Sequence, residues 1–425
     1  MNVVSASDTT ALASMLDAGW STAASVTSEV AAILANVNER GDAAVIEYTR
    51  RFDEETFDAS KLRVPIPMIE HARGLIAPEI AAALELAKDR IARFHQRQRQ
   101  PDIAYVEEDG SRYAIHRRPL RSVAVYAQRS GAASAVLMGA VTAKIAGVHR
   151  IVVLSPSGRD GLSGAVFFAC AVSGVNELYA MGGAQAIGAA AYGTESLAPV
   201  EKIVGRGSVW TTEAKRQVFG RCGIDALAGP AEVLIVADEG ANSEYVVGEL
   251  LAQAERAGAT RLAVLSESRP LLEAVAQLID TLDLRSLERS ELVSGAILKH
   301  CRLIAANGRE EMFDILNRFA PAYLCLQVRD ATEYLEGIAA AGTVFVGDST
   351  PLVSGEYLAG SNHVAPTSGT ARFSSNLSLA DFTRSFTVVE NSQERMTHDA
   401  QALASLAELE ELPHHAQTAR MRGGS

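Results

Sequence analysis

The chain has 425 residues, of which 48% are hydrophobic and 21% charged, and its formal net charge is -12. This composition belongs to a globular protein with room for two or three cores and excludes a disordered chain. The acidic balance argues against nonspecific binding to nucleic acid, which needs clustered Lys and Arg, and no apolar stretch approaches the length of a membrane span.

The opening stretch MNVVSASDTT has neither a charged start nor a long apolar run, so no signal peptide is expected. Up to Arg121 the chain reads as mostly helical. The stretch VTSEVAAILANVNERG shows apolar residues at helical spacing, a Thr as N-cap candidate and a terminal Gly. The basic run RIARFHQRQRQ, residues 90–100, reads as a solvated helix face.

From Arg121 onward, short β-branched runs alternate with Ala-rich helical stretches. SVAVYA, RIVVLS, ELYAM and EKIVG predict strands, with helices over 132–147, 162–174, from 184, and over 212–220. A second set follows: EVLIVAD, TRLAVLSES, CRLIAAN, AYLCLQV and GTVFVG as strands, with helices over 243–256 and 270–282 and others between the later strands. Near-continuous apolar strands suit parallel sheets covered on both faces, so the fold class is α/β. The stretch from Ser392 is helical, polar and poor in core-forming residues, which predicts docking on another subunit. Cys170, Cys222, Cys301 and Cys325 lie far apart with no C-x-x-C pair. That suits reduced, buried thiols in a cytoplasmic protein and not a cysteine zinc cage.

Doubly wound sheets place ligands at the carboxyl ends of their strands. No G-x-G-x-x-G follows any strand here. VGRGSVW, residues 204–210, has two close glycines and reads as a strand-to-helix turn. A more suggestive stretch is EYLAGSNHVAPTSGTARFSSNLS, residues 356–378, which gathers a carboxylate, an amide and a His in a segment too broken for a helix. It reads either as a site or as a loop held by its own hydrogen bonds, since Asn362 and His363 are turn formers as well as possible ligands.

Five stretches, VLMGAVTAKIAGV (136–148), MGGAQAIGAAAYGTE (181–195), EKIVGRGSVW (201–210), VFGRCGIDALAGPAEVLIVAD (218–238) and GEYLAGSNHVAPTSGTARFSS (355–375), resemble histidinol dehydrogenase in order and spacing. The resemblance implies a homodimer with two Rossmann-like parallel-sheet domains and small helical terminal elements. On that pattern residues 1–24 form an N-terminal helical element, and 25–119 plus 237–378 the first Rossmann-like domain. Residues 120–236 form the second domain, on the NAD side, and 379–425 a C-terminal helical arm on the partner subunit. It also implies NAD-dependent, two-step oxidation of L-histidinol to L-histidine in histidine biosynthesis, with zinc holding the substrate and a Glu-His pair moving protons.

Carried over position by position, the resemblance is uneven. In LLAQAERAG, Gln253 matches one zinc ligand, but Arg256 stands where the family has a His. Positions i and i+3 share a helix face, yet a guanidinium has no acceptor and stays protonated. Glu356 stands where the family has an Asp ligand. His415, preceded by His414, matches the arm's His ligand, and Glu410 a substrate-binding Glu. In FAPAYL the Glu-His pair is replaced by Ala322 and Tyr323; a phenol of ordinary pKa, roughly 10, is in the wrong protonation state for a base. Tyr126 and Gln185 match NAD-contacting positions, and Ser208 replaces an Asn. The usual Val-Pro-Gly-Gly after Tyr126 is AQRS, which leaves Arg129 to meet a phosphate, and Ala231 replaces a substrate-contacting Ser. Tyr323 and Cys325 read more simply as core.

These departures leave two main readings open: a dehydrogenase of histidinol or a related amino alcohol with weakened or altered activity, and a non-catalytic paralogue that keeps the fold for binding or dimerisation. A third, different chemistry in the same cleft, ranks below both. One geometric expectation follows. The Arg256 guanidinium should occupy the zinc position and pair with Glu356, balancing a carboxylate that would otherwise be buried alone.

Overall fold

The computed structural model describes the chain except residues 17–20, 130–131, 159–160, 230–231, 257–260 and 425. Two parallel sheets dominate it. Strands Ser122–Tyr126, Arg150–Ser155, Glu177–Ala180, Lys202–Val204 and Gly223–Ile224 form one; in chain order they lie 3-2-1-4-5 across the sheet. Strands Glu232–Ala237, Arg261–Ser266, Cys301–Ala305, Tyr323–Gln327 and Thr343–Val346 repeat that order in the other, where Val3–Ser5 adds a sixth strand at the edge. Each of the nine apolar runs read as a strand contains one of these strands. The central strands Ser122–Tyr126 and Glu232–Ala237 are buried along their whole length, as sheets covered by helices on both faces require.

Helix ends follow local chemistry. Asn242 caps Ser243–Ala254 by accepting the Glu244 N–H at 2.9 Å, and Ser268 caps Arg269–Thr281 by accepting that of Leu271. The first long helix runs Ala24–Arg40 with Ala23 at its N-cap, so Thr27 lies inside it and caps nothing. In the run 90–100, His95 is buried rather than solvated.

The grouping of residues 25–119 with 237–378 differs from the packing. Val30, Ile33, Val45 and Tyr48 pack with Ala124, Tyr126 and Leu154 of the five-stranded sheet, and Ile91 joins Val123 and Val136. Apolar side chains on these helices cover the sheet of residues 120–236, not that of 237–378. The N-terminal element, expected to be helical, begins with the strand Val3–Ser5, paired in parallel with Cys301–Ala305.

Residues 1–98 and 120–382 make one compact unit, and 99–119 with 383–425 make another. The second unit holds an antiparallel sheet, Thr383–Glu390, Arg112–Pro119 and Ile103–Val106, followed by helices Gln393–Leu409 and Pro413–Arg422. The C-terminal arm is therefore strand first and helix second. All four cysteines are free and buried. Among the described residues no helix is long and apolar enough to cross a membrane.

Candidate active site

The carboxyl edge of the five-stranded sheet gathers the three residues matched to cofactor contacts. The strand order reverses between Ser122–Tyr126 and Lys202–Val204, so the chain leaves these neighbours in opposite directions and opens a crevice beyond them. Tyr126 ends the first strand, buried, and its phenol oxygen accepts the Gly183 N–H at 3.1 Å. Gly183 sits at φ +62, and a Cβ there would come within 2.6 Å of Gln185 Oε1, so glycine is what lets the helix Gly183–Tyr192 start here. Gln185 is buried, and neither its carbonyl oxygen nor its amide nitrogen has a hydrogen-bond partner among the described residues. Ser208 is exposed at the start of Val209–Val218, its hydroxyl 3.4 Å from that of Thr211.

Beside them lies a charged pair. Arg129 donates to the Ser157 carbonyl at 2.7 Å and reaches Asp53 at 3.4 Å. Asp53 is nearly buried, and its Oδ2 lacks a partner among the described residues. Burial pushes its carboxyl up to about 6, against the opposing pull of Arg129.

A second group forms at the amino edge of the six-stranded sheet. The helix Ser243–Ala254 runs back along the sheet from the carboxyl end, so its last turn and Arg256 arrive at the edge where the strand Tyr323–Gln327 begins. Glu249 on this helix accepts the Leu352 N–H at 3.0 and 3.2 Å, tying it to the helix Leu352–Tyr357, which carries Glu356. Glu356 is 3% exposed and hydrogen-bonds through Oε2 to the Arg256 guanidinium. The expected pair is therefore formed. His363 Nδ1 lies 3.5 Å from the same oxygen, outside hydrogen-bond geometry. Burial alone would raise the Glu356 carboxyl; contact with His363 and the charges of Arg256 and Arg206 outweigh it and hold it at about 2. Burial depresses His363 in turn, with Glu356 opposing. Gln253 is buried with its Oε1 unpartnered among the described residues, as is Glu356 Oε1.

At the two positions matched to the Glu-His pair, Ala322 and Tyr323 are both buried. The Tyr323 hydroxyl donates to the His363 carbonyl at 2.8 Å, and Arg206 donates to the same oxygen at 3.4 Å. Burial, then the nearby Glu356 carboxylate, pushes the phenol well above its ordinary range. The stretch 356–378 is thus a loop held largely by its own bonds and its neighbours. The Asn362 amide donates to the Met138 carbonyl at 2.9 Å while its carbonyl accepts the Val364 N–H at 3.0 Å. Glu232, paired to Arg261 at 2.9 Å, accepts the Ser368 N–H at 2.8 Å.

The structure brings Gln253, Arg256, Glu356 and Tyr323 to one edge, and Tyr126, Gln185 and Ser208 to another. Glu410 follows the helix Gln393–Leu409 and His415 lies in Pro413–Arg422, both in the second unit. Ala231 lies outside the described residues. Sequence reasoning missed Arg206, which sits in a short turn with no ligand pattern, and Asp53, hidden in the charged run RRFDEE. Among the described residues no three or more His, Cys, Asp and Glu side chains gather to hold a metal ion.

Two doubly wound sheets of matching strand order, with polar clusters at the carboxyl edge of one and the amino edge of the other, define the class as an α/β protein. The chain belongs to the histidinol dehydrogenase family, whose sequence model matches residues 18–423. It is 40% identical to histidinol dehydrogenase 1 of Nostoc sp. over 399 residues, covering 93% of this chain and 92% of that one. With the histidinol dehydrogenase of Listeria monocytogenes it shares 38% over 409 residues, 96% and 95% of the two chains. The crystal structure of histidinol dehydrogenase from Elizabethkingia anophelis superposes with a TM-score of 0.92 at 29% identity, covering 99% of this chain and 98% of that one.

Proposed function

We propose that this member of the family oxidises histidinol, or a related amino alcohol, with NAD at a strongly reduced rate. One observation carries the reading: at the positions of the proton-transferring pair there is a methyl group and a buried phenol already donating to a backbone carbonyl. A phenol held neutral and used as a donor accepts no proton from an alcohol.

The cofactor side supports retention of NAD. The unmet amide of Gln185 offers a donor and an acceptor, and with Tyr126, Ser208 and Arg129 it would hold a dinucleotide at the carboxyl edge. Bound there, the nicotinamide would supply the hydride acceptor. These residues bind and orient it, and none of them takes a proton from substrate. Zinc does not fit the residues present. Arg256 places a fixed positive charge on the carboxylate that would have to ligate the ion, and no step is assigned to a metal.

A second reading, a non-catalytic paralogue, is favoured by the same Arg256–Glu356 pair, which engages one oxygen of the carboxylate internally. The test is purified protein assayed with histidinol, NAD and added zinc beside the Nostoc relative. The expected rate is lower by about 10²–10⁴-fold, the usual contribution of a general acid–base group. A rate equal to the relative's overturns the proposal, and turnover indistinguishable from no enzyme moves the chain to the second reading.

The chain is further proposed to act as a cytoplasmic homodimer in which Glu410 and His415 serve the partner's cleft. Leu403, Leu406 and Leu409 stand exposed at helical spacing on Gln393–Leu409, an apolar stripe suited to a second copy. Light scattering is expected to give a dimer. A stable monomer at micromolar concentration removes those two residues from the site.

A further inference from the structure

A carboxylate as deeply buried as Glu356 needs a counter-charge, because removing an ion from water is costly unless another group replaces the lost solvation. In a site built to hold a divalent metal, that charge arrives with the ion. Here it is part of the chain. Arg256 lies just past the carboxyl end of Ser243–Ala254, where a cation also complements the helix dipole, and it bonds directly to Glu356 Oε2. Its side chain is 30% exposed, against 3% for Glu356, so the guanidinium reaches inward from a partly solvated position and avoids much of the desolvation cost. Glu356 carries one methylene more than the family's Asp, which suits an arginine that approaches from its own helix.

We propose that Arg256 has taken over the electrostatic role of the metal, so that the Glu356 loop is closed and the chain is stable with no divalent cation bound. The pair fastens the end of Ser243–Ala254 to Leu352–Tyr357, two elements already joined through Glu249 and Leu352. It also leaves the loop that follows, with Asn362 and His363, fixed in place from its N-terminal side. The inference rests on the pair's geometry and not on the missing base, and its readouts are independent of turnover.

The experiment uses the full chain. Purified protein is loaded with excess zinc, dialysed and analysed for metal, and its melting temperature is measured with zinc, with chelator and with neither. The expected result is far less than one zinc per chain and a melting temperature that neither addition moves. Arg256→Met, which keeps the aliphatic stem, should melt several degrees lower, and Arg256→Met with Glu356→Gln should recover part of that loss, since the uncompensated charge is gone. If the single variant does not fold, the double variant still reports: its folding supports the charge argument. Arg256→His should gain zinc and a chelator-sensitive melting temperature. One tightly held zinc per wild-type chain, with a melting temperature that falls on chelation, overturns the proposal. So does an Arg256→Met protein as stable as wild type.

Discussion

The two polar clusters lie at opposite edges of their sheets and are bonded differently. At the carboxyl edge of the five-stranded sheet, hydrogen-bonding capacity is left unspent: both polar atoms of Gln185 and one oxygen of Asp53 lack partners among the described residues. At the amino edge of the six-stranded sheet, Tyr323 is bonded to the His363 carbonyl and Glu356 Oε2 to Arg256, while Gln253 Oε1, Glu356 Oε1 and both ring nitrogens of His363 also lack partners among the described residues. The two carboxyls show the same split, with Asp53 raised to about 6 and Glu356 lowered to about 2. Unmet atoms thus remain at both edges; the difference is that the carboxylate and the phenol of the second edge are each held by a direct bond within the chain, against the 3.4 Å contact of Asp53 with Arg129.

The largest expected effect would break the comparison by reopening the second edge. Ala322→Glu, Tyr323→His and Arg256→His made together should raise histidinol oxidation with NAD and zinc by about 10²-fold or more, within the range of acid–base contributions. Each single change should do little, because catalytic groups act as a unit. Steady-state rates of the triple and the three singles check this. A triple variant that folds, binds zinc and remains at wild-type rate would mean that the loss lies elsewhere.

A second effect sharpens the first edge. The Asp53 pKa is 3.8 when unperturbed and about 6 in the fold. Between these values the folded state keeps a proton that the unfolded chain has released, so Asp53 contributes stability below pH 3.8 that is lost as the pH rises through about 6. The shift corresponds to up to about 3 kcal/mol. Asp53→Asn should remove this slope: the difference in unfolding free energy between variant and wild type should change across the window and level off above it. Denaturant titrations at a series of pH values read it directly, and parallel curves would place Asp53 in contact with solvent.

Nine strands of the two large sheets were legible because each is a short, nearly continuous apolar run; the short Val3–Ser5 and Gly223–Ile224 were not. The antiparallel sheet of the second unit was not. Ile103–Val106 is exposed throughout and Arg112–Pro119 reads as RYAIHRRP, with no apolar face to mark it. Thr383–Glu390 pairs with it from some 270 residues away. The Arg256–Glu356 pair was readable because a lost ligand and a retained carboxylate raise a charge-balance question. Asp53 was not, since burial of one acid in a charged run depends on helices packing from distant parts of the chain. Ala322 and Tyr323 could be read as a broken base, but the phenol's bond to His363 needed coordinates.

A smaller effect tests the idea of unspent bonds. Gln185→Met keeps the shape and removes the unmet amide. An unsatisfied buried polar group costs about 1–3 kcal/mol, so the variant should unfold at higher denaturant than wild type. It should also bind NAD roughly tenfold more weakly, equivalent to about 1.4 kcal/mol. Calorimetric titration with NAD and a denaturation curve give both numbers. Opposite signs in stability and affinity would mark Gln185 as a residue kept for a ligand; a variant that loses both would make it ordinary packing.

The smallest effect concerns Tyr323 itself. If the phenol is a structural donor, Tyr323→Phe removes one neutral hydrogen bond and leaves the ring, which packs edge-on against Phe345 at 5.9 Å between centroids. The His363 carbonyl keeps the weaker donation from Arg206, so the oxygen is not abandoned. The expected loss is therefore at the ordinary level for such a bond, about 0.5–1.5 kcal/mol, with no change in whatever residual oxidation rate the protein has. Its pH–rate profile should also be unchanged, because a phenol held neutral by burial does not titrate in the working range. A fall in rate out of proportion to stability, or a shifted profile, would instead give Tyr323 a part in proton transfer. The second edge would then be altered chemistry and not chemistry given up.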